Sequence, residues 1–250
     1  ISNDESKDQK LVGFIDEINK GKLSDAEFLV ITGDNVSSYY ASRNNGDGLE
    51  NNRALKLIGI LKNLEKPYLI ALGNHDYKID REKDSDAPFT FDEINSIEIL
   101  WKEHGGVEPY YSIDHGNIRF VILNSMRGRY LNRSFDNEQI NWLAEQMKEK
   151  KPTFLFFHHP IRTDNFRIWG KPKDLITPEN EEKFFSILSK YKDQVKGIFV
   201  GHGHMWISDK LFNTIPVYET ASFGEGKGLN YYSIEFDAVK QETIIIKNSK

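Results

Sequence analysis

The sequence predicts a layered α/β (α+β) domain, and three observations carry that reading. Short apolar bursts of strand length alternate with amphipathic stretches at helical spacing along most of the chain. Four of the bursts run straight into a polar cluster with glycine or proline beside it, as strands do where a layered sheet presents its ligand-binding edge. At 250 residues the chain can bury one full core. No repeat, low-complexity tract or linker interrupts it, so residues 1–250 read as a single domain.

Taken in order, "KLVGFIDEINKG" (Lys10 to Gly21) sets Leu11, Phe14, Ile15 and Ile18 on one helical face and stops at glycine. "EFLVITGD" is a buried strand entering a turn, and "NNRALKLIGILKNLEK" returns to helical spacing. Pro67 then opens the strand "YLIALGNHD". The polar run Tyr77 to Pro88 reads as a solvated loop. "FDEINSIEILWKEHGG" is a helix ending at a glycine pair, where His104 is expected to cap the C-terminus. "YYSIDHGNIRFVILNS" reads as a hairpin turning at "DHGN", with His115 solvated. "SFDNEQINWLAEQMKEK" is a helix capped by Ser134 or Asp136, with Ile140, Leu143 and Met147 as its stripe. "PTFLFFHHP" and "GIFVGHGH" are strands, and "TPENEEKFFSILSKY" between them is a helix with Pro178 in its first turn. The tail, "IPVYETASFG" and "LNYYSIEFDAVKQETIIIKN", reads as strands.

Composition excludes some functions. The net charge of −5, from 38 acidic and 33 basic residues, advertises neither nucleic acid nor an anionic membrane as a partner. The absence of cysteine removes disulfides, thiolate metal sites and cysteine nucleophiles together. It leaves the compartment open: a soluble chain is expected, with the cytoplasm slightly favoured and an extracytoplasmic setting not excluded. No apolar run approaches the ~20 residues of a membrane span. The chain opens on Ile1 with no signal-peptide pattern, which reads as a processed or trimmed end. Oligomeric state is not legible.

The chemistry gathers where four strands end: Asp34; Asn74, His75 and Asp76; His158 and His159; His202 and His204. Imidazoles with a carboxylate and a carboxamide suit a divalent or trivalent ion such as Zn, Mn or Fe. Asp34 suits a bridging role, with one carboxylate oxygen for each of two ions ~3.5–4 Å apart. The bland readings are a cap for Asp34, a turn position for Asn74 and solvated turn residues for His202 and His204. For His159, packing or support of a neighbour is the better reading than ligation. Arg127 and Arg129 could clamp a phosphate or stay solvated. Tyr39, Tyr40 and Trp206 could line a cleft, pack in the core or lie exposed.

In the order "GDN", "GNHD", "HHP", "GHGH", each after an apolar strand, these motifs resemble the calcineurin-like metallophosphoesterase superfamily, the metallo-dependent phosphatases. The likeness extends to the strand "LNS" and the helix pattern Gln-x-x-Trp-Leu in "EQINWL", and covers most of Lys10 to His204. It implies a four-layer αββα sandwich of two mixed β-sheets flanked by helices. It also implies a metal-dependent phosphoesterase with two ions, Mn, Fe or Zn, in which a metal-bound hydroxide attacks a phosphomonoester or phosphodiester. Carried across by position, Asp34 bridges, and Asn74, His158 and His202 complete the second metal site. His204 serves the first, His75 contacts the phosphate and protonates the leaving oxygen, and Asp76 orients His75 through a carboxylate–imidazole bond.

Two departures matter. The family pattern opens with Asp-x-His on a first strand, which supplies two ligands of the first metal. The sequence holds no Asp-x-His, so that strand is expected immediately upstream of Ile1. Ser37 stands where the purple acid phosphatases carry a metal-binding tyrosine, so a tyrosinate-bound ferric site is not expected. The substrate stays open, with "HHP" and "EQINWL" pointing to the phosphodiesterase and acid-phosphatase-like branch. A nuclease is a weaker reading, for want of a basic, aromatic-interleaved stripe. A non-catalytic relative holding one metal or a ligand is the rival from outside the enzymes.

Overall fold

A computed structural model of the chain describes residues 5–42, 51–80, 90–127, 135–163, 178–225 and 229–249. Two compact units divide it, Ile1–Pro109 and Tyr110–Lys250.

In the first unit the elements are α1 (Glu5–Asn19), β1 (Leu29–Thr32), α2 (Arg53–Leu61), β2 (Tyr68–Ala71), a 3-10 turn (His75–Tyr77) and α3 (Phe91–Gly105). β1 and β2 pair in parallel, from Leu29 opposite Tyr68 to Thr32 opposite Ala71. Parallel pairing needs a crossover, which α2 supplies, and it brings both strands' C-terminal ends to one edge. α1 begins before its apolar stripe, and in that added first part Asp8 is buried and binds Lys56 of α2 at 2.7 Å. Asn52 caps α2 by accepting from the Leu55 N–H, and Thr90 with Glu93 forms a reciprocal capping box on α3. α3 stops at Gly106, whose φ of 66° is the left-handed cap that glycine takes without strain.

One expectation for this unit gives way. The start of the polar run after Asp76 is not a solvated loop: Tyr77 is 1% exposed and donates to Glu98 of α3, and Asp80 is buried too. The rest of that run, 81–88, lies outside the described residues. His104 stands in the last turn of α3, where a basic side chain suits the helix C-terminus, and its Nδ1 also lies 2.6 Å from the hydroxyl of the fully buried Tyr39. Tyr39 and Tyr40 are core residues.

In the second unit come β3 (Tyr111–His115), β4 (Ile118–Ile122), α4 (Asn137–Gln146), β5 (Thr153–Phe156), α5 (Pro178–Lys190), β6 (Val195–Val200), β7 (Ile207–Leu211), β8 (Ile215–Glu219), β9 (Asn230–Asp237) and β10 (Glu242–Ser249). Strands β3 to β8 form one mixed sheet in the order β3-β4-β5-β6-β8-β7, parallel through β4, β5, β6 and β8 and antiparallel at both edges. β9 and β10 form a separate hairpin.

Strand alternation decides the layering of this unit. Leu155 and Phe157 point to the face where Ile140, Leu143 and Met147 of the α4 segment and Phe184 and Leu188 of α5 complete a closed apolar core. Phe154 and Phe156 point the other way, into a row of rings running from Phe120 to Phe199 and Tyr218. β9 covers that row with Phe236, 5.4 Å from Phe154, and Tyr232, 5.5 Å from Tyr218. Asp136 is the cap of α4; Ser134 lies outside the described residues. β7 is a strand that periodicity does not announce. Five helices and a six-stranded mixed sheet among the described residues make this the α+β chain the sequence predicts.

Candidate metal centre

In the first unit, the parallel strands deliver Asp34 and the Asn74–Asp76 turn to one edge. β1 leaves through two left-handed residues, Gly33 (φ 97°) and Asp34 (φ 53°). The second is uncommon for a residue with a Cβ and is held in place by its surroundings. Asp34 Oδ1 accepts the His75 backbone N–H at 2.9 Å, tying the two turns together. Asn74 is 2% exposed and opens the 3-10 turn. The Trp101 indole N–H clamps that turn from α3 by donating to the Asp76 carbonyl.

Asp76 does not orient His75 as expected. Its carboxylate accepts from Asn35 Nδ2 (2.8 Å), the Gly73 N–H (2.8 Å) and the Val36 N–H (3.1 Å), so it fastens the Asp34 turn to the Gly73 turn. Burial, and then the Asp34 charge, pushes its carboxyl up to about 6, while bonds from Gly73 and Asn35 hold it down. His75 is oriented by a backbone carbonyl instead, with Nδ1 3.1 Å from Ser37 O. A carbonyl only accepts, so Nδ1 carries the hydrogen and Nε2 is the nitrogen that can exchange a proton.

In the second unit, His158 follows β5 and His202 follows β6, and backbone pairing continues past both strand ends through the bond from Gly201 N–H to His158 O. Their rings meet with His158 Nε2 3.2 Å from His202 Nδ1. Two imidazole nitrogens each about 2.0–2.1 Å from a shared ion are separated by close to that distance. Ligand atoms of His158, His159 and His202 all lie within 4.8 Å of one another, so the donor set and its spacing fit a metal. His159 is fully buried with Nδ1 2.6 Å from Ser125 Oγ, and it belongs to the same three-histidine group, which the sequence reading of it as support leaves out.

The structure does not bring His204 to this group. Its side chain is 56% exposed and faces Glu225, with Nδ1 3.5 Å from Oε2. Arg127 is not available as a phosphate clamp, since it is engaged with Asp136 at 2.9 Å and lies over the Tyr110 ring. Arg129 lies outside the described residues. Trp206 is half-buried against Tyr232, with Lys247 Nζ 4.5 Å from its ring.

Three supports escape sequence reasoning. Gln139 accepts from the Asn124 N–H and donates back to the Asn124 carbonyl, fixing the exit of β4 that carries Ser125 to His159. That gives the glutamine of the Gln-x-x-Trp-Leu pattern a physical task. Ser37 O, which orients His75, is a backbone atom that no motif marks. Glu219 ends β8 at 1% exposure; burial pushes its carboxyl up to about 8, against the Gly203 N–H and His158, which hold it down. The one signal for it is a charged residue closing an apolar strand.

A model of the calcineurin-like phosphoesterase family matches residues 6–206, a span reaching into both units. A human protein described as a cyclic GMP-AMP phosphodiesterase is 26% identical over 223 residues, 76% of this chain and 46% of its own length. A probable glycerophosphodiester phosphodiesterase of Arcobacter nitrofigilis is 26% identical over 166 residues, 65% of this chain and 54% of its own. The chain thus spans about half the length of the curated relatives it matches. Among solved structures, a dimetal phosphatase from Danio rerio aligns with a TM-score of 0.58 at 15% identity, covering 85% of this chain and 77% of that one. At that identity the likeness is one of fold. Among the described residues, no helix is long and apolar enough to cross a membrane.

Proposed function

The chain belongs to the calcineurin-like phosphoesterase family, and from that premise we propose that it is a dinuclear metal-dependent hydrolase of phosphoric esters. The observation that carries the proposal is the 3.2 Å approach of His158 Nε2 to His202 Nδ1 at two adjacent strand ends. The family is metal-dependent and typically dinuclear. The proposed metal holders are Asp34 and Asn74 in the first unit and His158, His202 and His204 in the second, with Mn, Fe or Zn as the ions. When bound, such ions supply Lewis acidity toward a phosphoryl oxygen and activate water.

The chain's own residues supply the rest. Asp34 offers a carboxylate whose Oδ1 is already oriented by the His75 N–H. His75, with Nδ1 fixed on Ser37 O, presents Nε2 to move a proton to the leaving oxygen. Asp76 holds the Asp34 turn rather than the imidazole. No side chain has to become esterified. Phosphodiesters are the first substrates to try, because both curated relatives carry phosphodiesterase names; phosphomonoesters are the second.

The test is nitrophenolate release from bis(p-nitrophenyl) phosphate and p-nitrophenyl phosphate by chelated chain reloaded with Mn, Zn or Fe. Turnover that disappears with chelator and returns with metal is expected. A second reading, a relative that holds a single ion without turnover, draws on the exposure of His204 and its pairing with Glu225. One tightly held ion with no hydrolysis of either ester selects it.

A further inference from the structure

The turn that carries His202 and His204 has a glycine that its backbone does not require. His202 and His204 take left-handed φ angles of 74° and 56°, while Gly203 between them does not. A side chain at Gly203 would contest space, not conformation, and the group it would have to displace is the carboxylate end of Glu219. A Cβ there would stand 2.1 Å from Glu219 Oε1 and 3.0 Å from its Cδ. Glu219 is 1% exposed and pairs in register with Val200, the last residue of β6, and with Ile207, the first of β7. The turn Gly201 to Trp206 springs from those two residues, so the carboxylate sits at its base. The Gly203 N–H and the His158 ring act on the carboxylate, while its Oε1 is buried without a hydrogen bond of its own among the described residues. Burying a carboxylate in this way is costly, so a compensating role is called for. The cluster of metal-competent atoms is His158, His159 and His202 and does not include Glu219.

We propose that Glu219 is a positioning residue for the His158–His202 pair: its carboxylate occupies the space of the side chain Gly203 lacks and locks the turn that presents His202 to His158. Left-handed φ angles are uncommon for residues with a Cβ, and such a turn persists only where packing over-determines it. Glu219 supplies that packing from below. The consequence for metal affinity rests on the metal-holding reading of the histidine pair; the structural part does not.

Both parts are tested on the whole chain with Glu219→Ala, Glu219→Gln, Gly203→Ala and the double variant Gly203→Ala/Glu219→Ala. In chelated protein, Glu219→Ala is expected to speed amide hydrogen exchange across 201–206 without altering exchange in β3 to β5. Co(II) titration is expected to show affinity reduced about 10–100-fold, the size of effect seen when support of a metal-ligating histidine is removed. Glu219→Gln, of the same shape, keeps both within about threefold, and the double variant recovers part of what Gly203→Ala loses. Unchanged exchange in Glu219→Ala overturns the proposal, and so does Glu219→Gln behaving like Glu219→Ala. If the exchange effect stands while unmodified chain binds no Co(II), the metal reading fails and the positioning role survives.

Discussion

His75 has its imidazole tethered through Nδ1 to a backbone carbonyl, which leaves Nε2 as the nitrogen for the proposed proton transfer. His75→Ala is therefore expected to lower turnover by about 10²–10⁴-fold with metal content unchanged in the same preparation. Equal loss of both would move His75 into the ligand set. At this scale the strand-end cluster was legible because histidine, aspartate and asparagine stand out beside apolar runs. Their partners were not. Asp76 bonds Asn35 from 41 positions away, and Tyr39 meets His104 from 65. Nothing in a linear pattern marks such pairs. The expected Asp76–His75 bond joined neighbours in sequence, whereas folding turned the carboxylate toward the Asp34 turn.

Among the elements, the β3–β4 hairpin shows how a cross-strand pair becomes a hub. Asp114 and Arg119 are directly opposed in register and meet through Arg119 Nε and Nη2 at 2.8 and 2.9 Å. Arg119 also donates to the Gln146 carbonyl at the end of α4. The guanidinium holds the Asp114 carboxyl well below the usual carboxylate range. A depressed native value means that the pair adds stability above the unfolded value of about 4 and loses it as pH falls further. Asp114→Asn is expected to cost about 1 kcal/mol at pH 7, a figure kept small by partial exposure, and to flatten the acid limb of a urea-midpoint-versus-pH curve. Equal loss at pH 7 and pH 2 would contradict this. Helix capping gives a second prediction: Asn52→Ala leaves the Leu55 N–H without its cap and should cost about 1 kcal/mol in denaturant unfolding. The buried strands and amphipathic helices were legible from periodicity. β7 was not, since "ISDKL" alternates over only five residues and owes its strand to pairing with β8. The polar run after Asp76 misled for the converse reason: Tyr77 and Asp80 are buried by α3 and neighbouring turns, which local polarity does not register.

For the molecule as a whole, family membership and α+β class follow from the ordered motifs, and the two local groups follow from strand ends that neighbour each other within a sheet. In the first unit β1 and β2 set Asp34 beside Asn74 and His75; in the second, β5 and β6 set His158 beside His202. A chain that holds metal through these groups should unfold at lower temperature after chelation and regain the loss when the ion returns, because an ion binding only the folded state adds stability by mass action. Gln139→Ala should shrink that metal-dependent gain by loosening the Asn124–Ser125–His159 support behind His158. The most direct test of the central claim is Co(II) titration of chelated chain, followed by visible absorption, with His158→Ala and His202→Ala alongside. Ligand-field bands are expected in the unmodified chain, with at least tenfold weaker binding in each variant. Binding by both variants as tight as by the unmodified chain would contradict it.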